Sequence, residues 1–61
     1  MNIETVKLEC DLMLEAIVGG IDIQTQWWNS PNKAFDLKTP NDELNDEPGN
    51  VYVYLLNQLQ R

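Results

Sequence analysis

The stretch from Trp27 to Pro40 contains two hydroxyl–proline pairs, and these constrain the fold of the chain more than any other feature. Ser30 or Thr39 can accept a hydrogen bond from a backbone N–H in the first turn of a helix. The proline that follows, Pro31 or Pro40, suits the first helical position, because its missing N–H has no partner there and its fixed φ is already helical. The stretch therefore predicts two successive helix starts with a tight corner between them.

Three aromatic residues supply the apolar mass at this corner: Trp27, Trp28 and Phe35. Each can bury about 150–250 Å², which is a large share of what so short a chain can hide. We expect Trp27 and Phe35 to lie in the core. Adjacent helical residues point about 100° apart, so we do not expect both indole rings to be fully buried. Trp28 is therefore a candidate for contact with a partner.

Residues 3–18 show the clearest periodicity. Their apolar residues recur at spacings of three and four, which predicts one amphipathic helix that Gly19-Gly20 ends with a left-handed cap. The members of this apolar stripe are Ile3, Val6, Cys10, Met13, Leu14 and Ile17. Cys10 falls within it and is interpreted as a small buried hydrophobe. Leu8 and Leu12 lie roughly opposite the stripe, so we predict that they contact a partner protein or a second copy of the chain.

The last segment, from Val51 onward, has to be assigned to a strand or a helix, because Val-Tyr-Val-Tyr has strong strand propensity. Helical spacing gathers its apolar residues on one stripe, and no second convincing strand is present to pair with it, so a helix is predicted. The stripe comprises Val51, Tyr52, Leu55, Leu56 and Leu59. Val53 and Tyr54 then point away from the stripe and become candidate contact residues.

The remaining segments complete an all-α fold. We predict a second helix that begins near Ile23 with Asp22 as its cap, one-turn helices near 31–35 and 40–45, and a Pro48-Gly49 turn after which Asn50 caps the last helix. Residues 1–61 are thus expected to form a single small domain of four to five short helices with Pro- and Gly-marked corners.

The charge of the chain limits its partners. Ten acidic and four scattered basic residues give a net charge of −6, which argues against direct nucleic-acid binding and suits a basic surface on a partner. One cysteine and no histidine leave no disulfide or zinc site to stabilise so short a chain. Extra stability is therefore expected from self-association or from a partner. With no signal peptide and no apolar run of about 20 residues, we expect a cytoplasmic protein that does not span a membrane.

The chain offers little for catalysis. It has no histidine base, no serine or cysteine beside a base, and no glycine-rich phosphate loop. The acidic residues Asp42, Glu43, Asp46 and Glu47 lack the alternating pattern and central glycine of a calcium loop. They are interpreted as charges that favour helix N-termini, and no carboxylate is expected to have a strongly perturbed pKa. We therefore predict no enzyme activity, no cofactor and no metal.

Over about residues 23–59 a run of motifs resembles the C-terminal toxin-binding domain of the Xre/MbcA/ParS antitoxins. The run consists of Trp27 and Trp28, Pro31-Asn32, Phe35, Thr39-Pro40, and then Leu44, Val51, Leu55, Leu56 and Leu59. The resemblance implies an all-helical, prokaryotic or phage domain that covers the active-site cleft of a RES-type toxin, an enzyme that consumes NAD. Asn32 of the Pro-Asn pair joins the predicted contacts. The full predicted partner-binding set is Leu8, Leu12, Trp28, Asn32, Val53 and Tyr54.

The chain also departs from the pattern of that family. Only about 22 residues precede the match, so we expect no helix-turn-helix region and no operator binding. Asp36-Leu37 stand where the family has a glycine pair, which predicts a differently shaped corner. Asn41 and Glu43 stand where the family tends to be apolar. Two other functions remain open: a homo-oligomeric structural or assembly protein that dimerises through the first helix, and a phage or mobile-element inhibitor of a host protein, for example by mimicking nucleic acid.

Overall fold

A computed structural model describes residues 2–60, so the two terminal positions of the predicted 1–61 domain lie outside the described residues. Over this range the chain forms four α-helices and one 3₁₀ helix, with no strand. The helices are α1 (Ile3–Ile17), α2 (Ile21–Asn29), the 3₁₀ helix (Lys33–Phe35), α3 (Pro40–Asp46) and α4 (Pro48–Leu59). The all-α prediction is confirmed, and so is the choice of a helix over a strand for the last segment.

The core lies where α4 packs against both α1 and α3. Its buried apolar residues are Val6, Cys10, Leu14, Trp28, Phe35, Leu44, Val51 and Leu55. The middle of the predicted α1 stripe is therefore in the core, whereas its two end residues, Ile3 and Ile17, are 37% and 38% exposed. α2 contacts α3 and α1 to a similar extent, and both contacts are much smaller than the one between α1 and α4. A groove remains between α1 and α2.

Two of the predicted helix boundaries are confirmed. Gly19 ends α1 in the left-handed conformation, with φ +95°, and its N–H donates to the carbonyl of Leu14. Thr39 caps α3 by accepting a hydrogen bond from the Asp42 N–H at 3.1 Å, with Pro40 at the first helical position. These two signals use local geometry alone, which explains why the sequence was sufficient to place them.

Three predicted caps are wrong. Ser30 ends α2, because its hydroxyl donates backward to the Gln26 carbonyl, and the 3₁₀ helix starts after Asn32, whose side chain accepts from Ala34 N–H. The second helix begins at Ile21 with Gly20 as its cap, so Asp22 lies in its first turn.

The third wrong cap is Asn50. Pro48 occupies the first position of α4, so the helix starts there and no Pro48-Gly49 turn separates it from Asn50. Asn50 lies inside the helix, and its side chain donates to Glu43 instead of capping the helix. Proline at a first helical position is favourable, and it decides the boundary here.

The corner between the 3₁₀ helix and α3 has a backbone that glycine adopts most readily. Asp36 and Leu37 have φ angles of 55° and 68°, in the left-handed region that non-glycine residues rarely occupy. The loop is closed by a hydrogen bond from Leu37 N–H to the Asn32 carbonyl and by one from Asn32 N–H to the Lys38 carbonyl, each 3.0 Å long. Aspartate tolerates this conformation better than leucine does, so Leu37 is the more strained of the two.

Replacing Leu37 by glycine is expected to raise the free energy of unfolding by about 0.5–1 kcal/mol. Glycine removes the left-handed strain, and little packing is lost because Leu37 is 65% exposed. Urea unfolding followed by circular dichroism measures the change. Ala34→Gly, in the neighbouring 3₁₀ helix, is the control and should not stabilise the domain. A loss of stability in Leu37→Gly would contradict the left-handed assignment.

Candidate partner-binding groove

Three large apolar side chains lie uncovered beside the α1–α2 junction. Leu8 and Leu12 on α1 are 67% and 68% exposed, and Ile21 at the start of α2 is 73% exposed. They line a groove of about 800 Å³, called the α1–α2 groove below. Its remaining lining comes from Asp11, Glu15, Gly19, Gly20 and Gln24. The prediction that Leu8 and Leu12 face away from the core is confirmed.

The local sequence explains how the groove forms. Leu8, Asp11, Leu12 and Glu15 recur at spacings of three and four, so they share one face of α1. The glycine pair then reverses the chain, which brings Ile21 to the same groove. The buried side chain of Gln24 fixes this reversal, because its Nε2 donates to the Gly19 carbonyl at 2.7 Å. The reversal therefore sets the position of α2 against the end of α1.

Trp28 is not a contact residue. It is 4% exposed, and its Nε1–H donates to Asp11 Oδ1 at 2.8 Å. The Lys7 ammonium lies 4.8 Å from the ring centroid and 3.2 Å from Asp11 Oδ2. The indole ring therefore lies in the core, and its N–H is hydrogen-bonded to Asp11 on α1. Its N–H bond also orients Asp11, which lines the groove.

Trp27 is only partly buried, so the two tryptophans have the opposite arrangement to the one predicted. Its ring stacks on Tyr54 with centroids 6.3 Å apart and meets Phe35 edge-on at 6.5 Å. Tyr54 also packs against Phe35 at 5.3 Å. Tyr54 was predicted to point away from the α4 stripe and to contact a partner. It is instead half-buried in this aromatic cluster, because the 3₁₀ helix places Phe35 against it.

The structure divides the rest of the predicted contact set. Asn32 is half-buried, and its side chain is occupied with capping the 3₁₀ helix. Val53 is 54% exposed on α4 and does not line the α1–α2 groove. Sequence reasoning missed Ile21 and Gln24 as groove residues. The exposed, apolar start of α2 directly after the glycine pair was the signal that could have indicated Ile21.

A buried carboxylate, which was not predicted from the sequence, lies between α3 and α4. Glu43 is 9% exposed. It accepts hydrogen bonds from Asn50 Nδ2 at 2.8 Å and from Lys38 Nζ at 2.9 Å, and Lys38 also donates to Asp46 at 2.6 Å. The bond from Asn50, followed by the one from Lys38, lowers the pKa of Glu43. Sequence reasoning did not predict this network or the lowered pKa of Glu43.

This network predicts acid sensitivity. Because the folded-state pKa of Glu43 lies below its ordinary value of 4.5, its contribution to stability is complete above that value and is lost as the pH falls through the lower folded-state pKa. Lys38 has a raised pKa from its bonds to Asp46 and Glu43, so its contribution is lost only at strongly alkaline pH. We expect Glu43→Gln to reduce the loss of stability between about pH 5 and pH 3.

Urea midpoints measured across that pH range test this expectation. The matched control is Glu47→Gln, which removes an exposed carboxylate that makes no side-chain capping bond and should leave the acid sensitivity unchanged. Equal acid sensitivity in the wild-type protein and in Glu43→Gln would contradict the role of the network.

Cys10 is fully buried, as predicted. Burial and, next, the charge of Asp11 raise the pKa of its thiol to about 11, so the thiolate that would be needed for nucleophilic chemistry does not form near neutral pH. Among residues 2–60 no three or more histidine, cysteine, aspartate or glutamate side chains are grouped to hold a metal ion. None of the helices described is long and apolar enough to cross a membrane.

No family model, curated protein or solved structure matches the chain. The fold and the site nevertheless define a class of molecule. Residues 2–60 form a small all-helical domain with a buried apolar core and an open apolar groove between α1 and α2.

Proposed function

We propose that this chain is a protein-binding domain that docks a partner on the α1–α2 groove, and that the partner is an NAD-consuming toxin of the RES type whose cleft the domain covers. The observation that carries the docking proposal is the exposure of Leu8 and Leu12. Both remain more than 60% exposed, although eight other apolar residues close the core without them.

The groove has the features of a contact surface. Single exposed apolar residues are normal on a soluble protein, but Leu8, Leu12 and Ile21 line one concave surface together. Full burial of a leucine or isoleucine side chain stabilises by about 1.5–3 kcal/mol. Three such residues, each about two-thirds exposed, can therefore contribute several kcal/mol of favourable binding free energy when a partner covers them.

The choice of a toxin as partner is supported by the motif resemblance over residues 23–59 and by the net charge of −6. An acidic domain suits a basic cleft. The helices that the resemblance implies are present, and the corner at Asp36-Leu37 has a glycine-like backbone although it lacks the glycine pair. Occlusion of a cleft needs no catalytic group on the domain, which agrees with the lack of a histidine.

Co-expression with a RES-type toxin tests the proposal, with cell growth and NAD level as readouts and titration of the purified toxin as the direct binding measurement. The wild-type domain should restore growth and bind. The double variant Leu8→Gln/Leu12→Gln should bind at least tenfold more weakly, because it removes two central apolar contacts. Failure of the wild-type domain to bind or rescue would exclude the toxin as partner.

The matched control is Val53→Gln, which removes an exposed apolar residue of α4 outside the groove and should bind like the wild-type protein. All these positions are exposed, and glutamine is a good helix former, so each variant should keep the native circular dichroism spectrum. Unchanged binding by Leu8→Gln/Leu12→Gln together with a loss in Val53→Gln would move the contact surface to α4.

Self-association is the second candidate, since the same leucines could cover each other in a homodimer through α1. Sedimentation of the wild-type protein distinguishes the two. A tight dimer that Leu8→Gln/Leu12→Gln converts to a monomer would assign the groove to a second copy, and a monomer at all concentrations would exclude the homodimer.

A further inference from the structure

The α1–α2 groove continues along α1 toward its N-terminus. A second, shallower depression of about 270 Å³ is lined by Glu4, Lys7, Leu8 and Asp11, and it shares Leu8 and Asp11 with the first. Together the two form one strip along the outer face of α1. From Glu4 to Glu15 the strip is about 16 Å long at 1.5 Å per residue, or about three helical turns.

The charges along this strip have one predominant sign. Carboxylates occur at its start, middle and end, at Glu4, Asp11 and Glu15. Lys7 is the one cation in the described lining, and its ammonium is already bound to Asp11 at 3.2 Å. The strip therefore has an apolar middle, formed by Leu8 and Leu12, and an acidic margin without a free cation.

We propose that the strip binds a cationic amphipathic helix of the partner protein. This inference rests on the proposed function, because it names the chemistry of what occupies the same groove. Apolar side chains spaced at i, i+4 and i+7 on such a helix would cover Leu8, Leu12 and Ile21, in the manner of helices that bind in apolar grooves. Lysine or arginine side chains beside them would meet Glu4 and Glu15.

Charge favours this occupant over a second copy of the chain. A second copy would bring another net charge of −6 and the same carboxylates to the interface, and like charges that face each other oppose association. A cationic helix meets complementary charge at both ends of the strip, at Glu4 and Glu15. Its affinity therefore decreases as salt screens the attraction, within a Debye length of about 10 Å at 0.1 M ionic strength.

The test uses fluorescently labelled helical peptides of about 14 residues, since a strip of about three turns needs roughly that length. One peptide carries leucine at i, i+4, i+7 and i+11 with lysine at flanking positions, and its matched control carries glutamate in place of every lysine. Anisotropy is measured with the wild-type domain, residues 1–61, at low and at high salt. The cationic peptide should bind, and its affinity should fall several-fold at high salt. The acidic peptide should not bind.

Variants of α1 locate the contact. Glu4→Gln and Glu15→Gln should each lower the affinity for the cationic peptide by about threefold, in the range of a single exposed ion pair. Leu8→Gln/Leu12→Gln should lower that affinity by at least tenfold. Glu9→Gln is the matched control, because Glu9 is an exposed carboxylate of the same helix outside the strip. It should bind the peptide like the wild-type domain.

Three results obtained without the toxin would overturn the inference. They are equal binding of the acidic peptide, an effect of Glu9→Gln as large as that of Glu15→Gln, and a sedimenting dimer that Leu8→Gln/Leu12→Gln abolishes. Toxin binding that depends on the leucines but not on salt or on Glu15 would also overturn it and leave the proposed function standing. Peptide binding at the groove without any toxin binding would support the inference and remove the toxin.

Discussion

Replacing Trp28 by alanine is expected to lower the free energy of unfolding by about 3–5 kcal/mol, the usual cost of truncating a buried aromatic residue. Trp28 is 4% exposed, and the truncation also leaves Asp11 without its 2.8 Å hydrogen bond from the indole. A single small core rarely supplies more than about 3–5 kcal/mol in total. Most molecules of Trp28→Ala should therefore be unfolded at 25 °C, which far-UV circular dichroism measures directly.

Trp27→Ala is the matched comparison, because the two indoles are adjacent in sequence. Trp27 is only partly buried at the edge of the aromatic cluster, so we expect a loss of about 1–2 kcal/mol and a folded protein. Trp28→Phe keeps most of the apolar volume and loses the N–H, and it should cost about 1 kcal/mol. A larger loss in Trp27→Ala than in Trp28→Ala would show that the two rings have been assigned to the wrong sides of α2.

The two tryptophans show where sequence reasoning stops. Two adjacent residues of equal size do not show which of them faces the core. That depends on the rotation of the helix about its axis, which the local sequence does not specify. In α2 that rotation depends on the reversal at Gly19-Gly20 and on the bond between Trp28 and Asp11. Both involve α1, which is distant in sequence from Trp28, so the preference for Trp27 as the core residue was wrong.

The hydroxyl–proline pairs show the same limit in the loops. Ser30 and Thr39 carry the same local signal, yet only Thr39 caps a helix. The Ser30 hydroxyl is within reach of the α2 carbonyl of Gln26 and donates to it. The hydroxyl that was expected to cap the next helix is therefore bonded to the end of α2. Thr39 follows an irregular corner and has no such competitor.

The candidate groove was partly predictable. The outward positions of Leu8 and Leu12 follow from the periodicity of one long helix, which is why the sequence placed them correctly. Ile21 joins them only because of how α2 is set against α1. The Glu43 network likewise needs Lys38 before α3 and Asn50 within α4 to converge on one carboxylate. No spacing rule within a single element predicts such a convergence.

Replacing Leu55 by alanine is the second change with a large expected effect, about 2–5 kcal/mol of lost unfolding free energy. Leu55 is 1% exposed at the centre of the core, so its truncation leaves a cavity. Val53→Ala should cost less than about 0.5 kcal/mol, as is usual for surface substitutions, because Val53 is 54% exposed.

This pair of variants tests the assignment of α4 as well as its packing. Residues two apart lie on one face of a strand but about 200° apart on a helix, so a strand would make Val53→Ala and Leu55→Ala similarly costly. Urea unfolding of the two variants measures the difference between their losses of unfolding free energy. The helix predicts a difference of at least about 1.5 kcal/mol between them. Equal losses would mean that Val53 and Leu55 share a buried face, which α4 as a helix does not allow.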